Sequence, residues 1–420
     1  MRRTNVRARG FAAAMVVAGI VAGPTVGPAA AVDSIREQQW HLDTMKASEI
    51  WQTSKGQGVT VAVVDGGFRL DHPDLVGQLL PGKDLSGLPG GIGVDKTGHG
   101  TGIAGLIAGS GKGLGGKGAY GLAPGAKVLP IKININDDPA QPIDASGYLE
   151  QVSQGITYAA DQGAKVINVS SVAGSSGVSM GDIAELEKSV KYANGKGALV
   201  VAGAGNSGQE GNPALYPAAL PSIIAVAAAD RAGTATDESE HGPQIDIAAP
   251  GVDIYTSCVA ESGYCKKHGT SDATALVSAS AALLWAAHPD WAPNQITRVL
   301  IGTAGKPKDG SNRTDFIGYG IVRPRVALTT PGDPGSADVS PLVEPSADAV
   351  PSTAPTPVVS QSPAAQPAPT PPPSAAASDA PVAAQDDKGS PLLLAAAVAG
   401  GLVLLAGVVV VLRRRTVRAR

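Results

Sequence analysis

The sequence predicts an α/β fold, a mostly parallel, doubly wound sheet between helix layers, and three observations carry that reading. Short apolar runs rich in β-branched residues, at 59–64, 127–133, 165–170, 198–202 and 223–228, have the unbroken hydrophobicity of strands buried on both faces. Helix-like stretches at 103–108, 148–161 and 182–194 fall between them, so strand and helix alternate as crossover connections require. A long apolar helix at 276–288 follows the last of these strands. The 54 glycines and 33 prolines are too many for a coiled coil or helical bundle, and 43% hydrophobic residues are too many for a wholly disordered chain.

Taken from the N-terminus, residues 1–31 read as a signal peptide. Arg2, Arg3, Arg7 and Arg9 precede an apolar run at 11–22, the helix-breaking Gly23-Pro24 and a small-residue cleavage site at Ala29-Ala30-Ala31. Residues 32–56 form an N-terminal extension, and residues 57–330 a single globular domain. Residues 331–391 hold 15 of the 33 prolines, no aromatic residue and seven acids against the single Lys388. Such a stretch buries too little apolar surface to offset its ordering entropy, so it reads as a disordered, Pro-rich linker or stalk. Residues 392–412 carry no charge and are long enough for one transmembrane helix, with the five arginines of 413–420 as a cytoplasmic tail. This order places the chain at the cell membrane as a single-pass protein whose globular part is extracytoplasmic.

The formal charge of −3 is an average. Setting aside the nine arginines of the two ends leaves 24 Lys and Arg against 36 Asp and Glu, a net of −12 for residues 32–412. An acidic body offers no footprint for nucleic acid. Six scattered histidines and two cysteines build no zinc array, and no cofactor or metal is indicated. Asp71, His72 and Asp74 read as a turn around Pro73 and not as ligands.

In a doubly wound sheet the chemistry lies beyond the carboxyl ends of the strands. Asp65 closes the run Val61-Ala62-Val63-Val64-Asp65-Gly66-Gly67, where a buried strand gives way to a turn. His99 stands in Gly98-His99-Gly100-Thr101-Gly102, a glycine-rich helix start that lets backbone crowd around an imidazole. Ser271 stands in Gly269-Thr270-Ser271-Asp272-Ala273-Thr274 just before the apolar helix, at the positive end of its dipole. Each alone is more often an ordinary turn, loop or cap residue than a catalytic one. Together they complete one another, because serine is a poor nucleophile until an imidazole takes its proton and the imidazole needs a carboxylate to fix its tautomer. Asn206, after the strand-like Val200-Val201-Ala202-Gly203-Ala204-Gly205, adds an amide placed to donate to an oxyanion.

On these motifs the chain resembles subtilisin-type serine proteases, in which the catalytic residues follow the order Asp, His, Ser. The match runs from about 57 to about 325 and includes Asp71-His72-Pro73-Asp74-Leu75, Ala123-Pro124, Val166-Ile167-Asn168-Val169-Ser170, Tyr216-Pro217-Ala218 and Ala249-Pro250-Gly251. The resemblance implies a three-layer subtilisin-like fold and an acyl-enzyme mechanism. Asp65 orients the base, His99 is general base and acid, Ser271 is the nucleophile, and Asn206 with the Ser271 N–H forms the oxyanion hole. It also implies that substrate lies between Ser170, Ser171 and the following residues to Gly174 on one side and Ala202, Gly203, Ala204 and Gly205 on the other.

The run Trp40-His41-Leu42-Asp43 through Trp51, with the stalk and C-terminal anchor, is similar to the mycosins, membrane-anchored proteases of actinobacterial type VII secretion systems. That likeness implies exported proteins or peptides as substrates and the secretion membrane complex as a partner, with a mainly structural role in the complex as the alternative. The 25 residues of 32–56 are too few for a folding pro-domain. They are expected to wrap against the catalytic domain.

Three departures from the superfamily stand out: Gly66 where Ser or Thr is usual, Asp272 where an apolar residue is common, and Ala275 where Pro is usual. Cys258 and Cys265, the only cysteines, are expected to form a disulfide in an exported chain, closing the loop before the nucleophile. Asn168 in Asn-Val-Ser lies on a strand that should be buried, which argues against glycosylation.

Overall fold

The computed structural model describes residues 34–342. The signal peptide, most of the Pro-rich linker, the apolar span 392–412 and the basic tail lie outside the described residues. Among the described residues no helix is long and apolar enough to cross a membrane.

Three short helices come first, α1 (Ile35–Gln38), α2 (Trp40–Thr44) and α3 (Ala47–Thr53). The strand β1 (Thr60–Asp65) and the two-residue β2 (Lys83–Asp84) lead to α4 (His99–Ala108), the single turn α5 (Gly113–Gly116) and β3 (Lys127–Lys132). Then follow α6 (Ala145–Asp161), β4 (Val166–Val169), β5 (Ala173–Gly174), α7 (Met180–Gly195), β6 (Leu199–Gly203), β7 (Leu215–Tyr216) and β8 (Ile224–Ala229). The domain closes with β9 (Ile247–Pro250), the hairpin β10 (Ile254–Ser257) and β11 (Tyr264–Lys267), and helices α8 (Thr270–Ala287), α9 (Pro293–Gly302) and α10 (Pro324–Thr329).

Seven strands form one parallel sheet in the order β2-β3-β1-β4-β6-β8-β9. Alternation along β1 explains the layers. Val61 and Val63 point into one core with α4 and α8, whereas Ala62 and Val64 point into the other with α6 and α7. Both faces being covered is why the strands read as continuous apolar runs. The chain leaves β1 for β3 on one side and then crosses to β4, β6, β8 and β9 on the other, so the sheet changes direction beside β1. A crevice at the carboxyl end of β1 is the consequence.

Each predicted strand lies within a residue or two of an observed one, but α8 begins at Thr270, six residues ahead of the apolar run at 276–288. Gly269 is its N-cap, at φ 129°, a conformation that L side chains rarely adopt. Ser271 therefore lies inside the first turn of the helix.

The N-terminal extension is part of the core. Leu42, Ala47 and Ile50 are buried against the layer of α4 and α8. Gln39 sits fully enclosed, donating through Nε2 to the carbonyls of Tyr120 (2.8 Å) and Tyr255 (3.1 Å) and accepting the Tyr120 N–H at 2.9 Å. Trp40 Nε1 donates to the Val252 carbonyl at 3.0 Å, Trp51 Nε1 to the Leu122 carbonyl at 2.9 Å and Ser54 Oγ to the Leu283 carbonyl at 2.8 Å. None of these partners belongs to the Asp65, His99 and Ser271 set.

His41, at 0% exposure, has no hydrogen-bond partner on either ring nitrogen. Desolvation, helped by the nearby Arg36 cation and opposed by Asp43, lowers it from 6.5 to about 3. The folded state holds His41 neutral, so its contribution is complete above about 6.5 and is lost as pH falls toward 3, by about 1.4 kcal/mol per unit at most. Thermal unfolding of wild type is expected to drop steeply between pH 6 and 4, and of His41→Leu to drop less, with the two curves converging above pH 7.

At the other end the chain continues past α10 onto α9. Arg298 donates to the carbonyls of Ser336 and Val339, Gln295 to that of Gly335 and Asn294 to that of Ala337. Residues 335–339, inside the stretch whose composition reads as linker, are thus pinned to the domain.

Candidate active site

Asp65, Ser170 and Asn206 emerge from the carboxyl ends of β1, β4 and β6, three adjacent parallel strands. His99 opens α4 and Ser271 lies in the first turn of α8, two helices packed on the same face of the sheet. The architecture brings all four sequence-predicted groups to one edge.

The Asp65 carboxylate is 0% exposed, and its Oδ1 accepts the Gly66 N–H at 2.8 Å. The two oxygens lie 2.8 and 2.9 Å from His99 Nδ1, so Nδ1 is the protonated ring nitrogen and Nε2 is left free to accept. The His99 side chain keeps 26% exposure, enough for contact with a substrate. Desolvation lowers its pKa, but the charge and hydrogen bond of Asp65, with a further contribution from Asp272, outweigh desolvation and Lys267 and raise it above 6.5. The neutral form that can take a proton is thus reached above the ordinary histidine range.

Ser271 Oγ donates to the Ser170 carbonyl at 2.7 Å, and Ser170 Oγ returns a bond to the Ser271 carbonyl at 3.2 Å. The expected hydroxyl-to-imidazole bond is not the one this arrangement makes, because the β4 carbonyl is the acceptor at hand. Rotation about the Cα–Cβ bond redirects the proton, and catalytic hydrogen bonds of this kind commonly tighten only with substrate present.

Asn206 is exposed, and its Oδ1 accepts the Thr270 N–H at 2.9 Å. That bond ties the amide to the first turn of α8, with both its Nδ2 and its Oδ1 close to the N-cap Gly269. The orphan N–H groups of the first turn of α8 lie at the same helix end.

Of the residues named for substrate contact, Ser170 is buried just past β4, bonded to Ser271, and Ser171 is half-buried, its Oγ 3.0 Å from the Tyr148 hydroxyl. Ala202 is wholly enclosed in the core of α6 and α7 and cannot touch a bound chain. Gly203 packs on Thr270 and Thr274, Ala204 donates its N–H to Val226 at 2.9 Å and Gly205 donates its N–H to Thr270 Oγ1 at 3.1 Å. The N–H groups of Ala204 and Gly205 are thus already paired, and on the other side Ala173 and Gly174 pair with Tyr216 and Leu215 in the β5–β7 ribbon.

Sequence reasoning missed the residues that hold the histidine. Asp95 accepts the N–H groups of Gly98 (2.8 Å) and Thr101 (3.0 Å), capping the start of α4, while Lys267 Nζ donates to the Gly98 carbonyl at 2.8 Å. Asp95 sits four residues before the histidine with no pattern to mark it. Gly100 has a stricter role, since a Cβ there would lie 2.2 Å from the Gly67 carbonyl oxygen and 3.1 Å from Asp65 Cβ. Gly100→Ala is expected to push His99 and Asp65 apart and to lower kcat/KM about 100-fold, as about 1 Å of misplacement does; unchanged kinetics on a peptide substrate would contradict this geometry.

The departures find structural counterparts. A Cβ on Gly66 would meet Ile135 Cδ1 at 2.6 Å, so Ile135 fills the space a Ser or Thr would need. Ala275 is fully buried in α8. Asp272 is buried beside the nucleophile. Cys258 and Cys265 form a disulfide that closes the loop of the β10–β11 hairpin, and Cys258 and Val259 pack within 3.4 Å of where a Gly98 Cβ would stand.

The turn at 71–74 is structural: His72 Nε2 lies 2.7 Å from the Gly263 carbonyl and Asp74 accepts the N–H groups of Gly113 and Ala119. Among the described residues no group of three or more His, Cys, Asp or Glu gathers as a metal site. Asn168 is fully buried, bonded to Ser170 and Ser278, and offers no surface to a glycan.

Comparison with known proteins gives consistent matches. The sequence profile of the Subtilase family matches residues 56–320. Thermitase of Thermoactinomyces vulgaris is 37% identical over 254 residues, covering 59% of this chain and 82% of that protein. Subtilisin BL of Lederbergia lenta is 34% identical over 276 residues, covering 65% and 91%. Among solved structures, MycP1 from Mycobacterium smegmatis superposes with a TM-score of 0.62 at 27% identity, covering 71% of this chain and 86% of that one. The MycP3 protease from the type VII (ESX-3) secretion system does so at 0.59 and 29%, covering 69% and 88%.

Proposed function

The chain belongs to the subtilase family of serine peptidases, and on that premise we propose that Ser271, His99, Asp65 and Asn206 carry its peptide-bond hydrolysis. The observation that supports this most is the Asp65–His99 contact, which presents a free Nε2 at the rim where the first turn of α8 holds Ser271. His99 takes the Oγ proton as Ser271 attacks the scissile carbonyl, and the imidazolium is held by Asp65. Asn206 Nδ2 and the Ser271 N–H stabilise the oxyanion of the tetrahedral intermediate. His99 then returns the proton to the leaving amine, and water, activated by the same imidazole, hydrolyses the acyl-enzyme.

We also propose that the peptidase is held outside the membrane by the span 392–412 and acts on exported proteins within a type VII secretion system. Two things support this: the order of segments in the sequence, and the structural likeness to MycP1, described as a serine protease and an essential component of the type VII (ESX-1) system. The test is labelling of the full-length, disulfide-intact chain with a fluorophosphonate. Modification at Ser271, lost in Ser271→Ala, is the expected result, and a folded protein that does not label overturns the assignment. Comparing the termini of secreted proteins between wild type and Ser271→Ala then identifies the substrates.

A further inference from the structure

Asp272 is the residue of the cleft that the mechanism above does not use. It is third in the first turn of α8, directly after the nucleophile, and keeps 2% of its surface. Its Oδ2 is buried with no hydrogen-bond partner. A buried carboxyl oxygen left unpaired is unfavourable, so it calls for a compensating interaction. The charged and titratable groups that face it are His99 from α4, Lys267 from the end of β11, and His268 and Glu238 from the connecting loops. Three of these are already engaged with other groups, Lys267 Nζ on the Gly98 carbonyl at 2.8 Å and His268 Nδ1 with Glu238 at 2.9 Å. The group whose charge changes during the reaction is His99.

We propose that Asp272 is a positioning residue that acts through His99, a second carboxylate whose negative charge stabilises the imidazolium formed when Ser271 is acylated. Asp65 binds Nδ1 and fixes the ring. Asp272, next in sequence to the nucleophile, acts on the ring through its charge. The helix terminus favours the anion. Burial opposes it and lifts the carboxyl to about 6, while the charges of His99, Lys267 and His268 favour the anion. The coupling is mutual, since the Asp272 anion raises His99 and the His99 cation lowers Asp272. The two titrate as a coupled pair, and the acid limb of the rate should show both protons.

This inference rests on the proposed triad, and its test keeps the two apart. The full-length chain is assayed on one peptide substrate across pH 4.5–9 as wild type, Asp272→Asn and Asp272→Leu, with fluorophosphonate labelling of each at high pH. Labelling in all three reports the triad; its absence in folded wild type would end that reading, and this one with it. With labelling intact, wild type is expected to lose kcat/KM as pH falls through the raised His99 range, starting above 6.5, with a slope steeper than one proton once Asp272 also takes up its proton. Both variants should show a one-proton limb, a midpoint moved to lower pH and a plateau about 3- to 10-fold lower. A variant that only lowers the plateau, with slope and midpoint as in wild type, shows a merely structural Asp272 and overturns the proposal; either variant alone suffices if the other does not fold.

Discussion

Replacing Ser271 or His99 by alanine is expected to lower kcat by about 10⁶-fold, and replacing both to lower it no further. The reason is geometric. In the proposed mechanism Oγ loses its proton to Nε2 of His99, which can accept because Asp65 occupies Nδ1 at 2.8 and 2.9 Å. Once either member is gone the other has nothing to do, so the deletions share one loss. Asp65→Asn leaves nucleophile and base in place but lets the ring take the wrong tautomer, and a smaller loss of about 10⁴-fold is expected. Steady-state kinetics on the four variants check the pattern, and a double variant much slower than either single one would show that Ser271 and His99 act independently. KM should change little throughout, since none of these side chains is needed to hold the ground-state peptide.

Asn206→Leu carries the second large effect, a fall of about 10²- to 10³-fold in kcat at nearly constant KM. In the proposed mechanism the amide adds no ground-state binding, because its donor stabilises the charge that develops on the oxyanion and not the planar carbonyl. Its orientation depends on the Thr270 N–H, which holds Oδ1 at 2.9 Å, and Thr270 Oγ1 in turn accepts the Gly205 N–H. Leucine has about the same volume and neither bond. A KM effect as large as the kcat effect would place Asn206 in substrate binding and not in oxyanion stabilisation.

The groups proposed to do the chemistry are legible in the sequence because each sits where a strand or helix ends, and such ends announce themselves. Asp65 terminates an apolar run, His99 stands among glycines and Ser271 precedes a uniformly apolar helix. Their mutual order along the chain did the rest. The supporting contacts were not legible, because they join segments far apart in sequence. Lys267 reaches Gly98 across 169 residues, and Ser271 finds the Ser170 carbonyl across 101. No local pattern records such a meeting. The same holds for β2, β5 and β7, two residues each, and for β9, whose Ile-Ala-Ala-Pro ends in a proline and carries no strand signature of its own. The start of α8 was read late because Thr270 to Ala275 are small or polar and the apolar signal begins only at Leu276. Asp272 was visible as a departure from the superfamily, but its burial and its unpaired oxygen were not.

The way the N-terminal extension is tied into the domain has a consequence for the order in which the molecule can form. Gln39 needs Tyr120 and Tyr255, Trp40 needs Val252, and Ser54 needs Leu283, partners 81 to 229 residues further along the chain. During synthesis this early segment is among the last to find its place. Until Leu283 has emerged, Trp40, Leu42 and Ile50 have no native cover and remain open to solvent, to chaperones and to other proteases. Contacts this distant in sequence slow the final step of folding. They also make that step a checkpoint, because a chain interrupted before α8 leaves its own N-terminus uncovered and open to degradation.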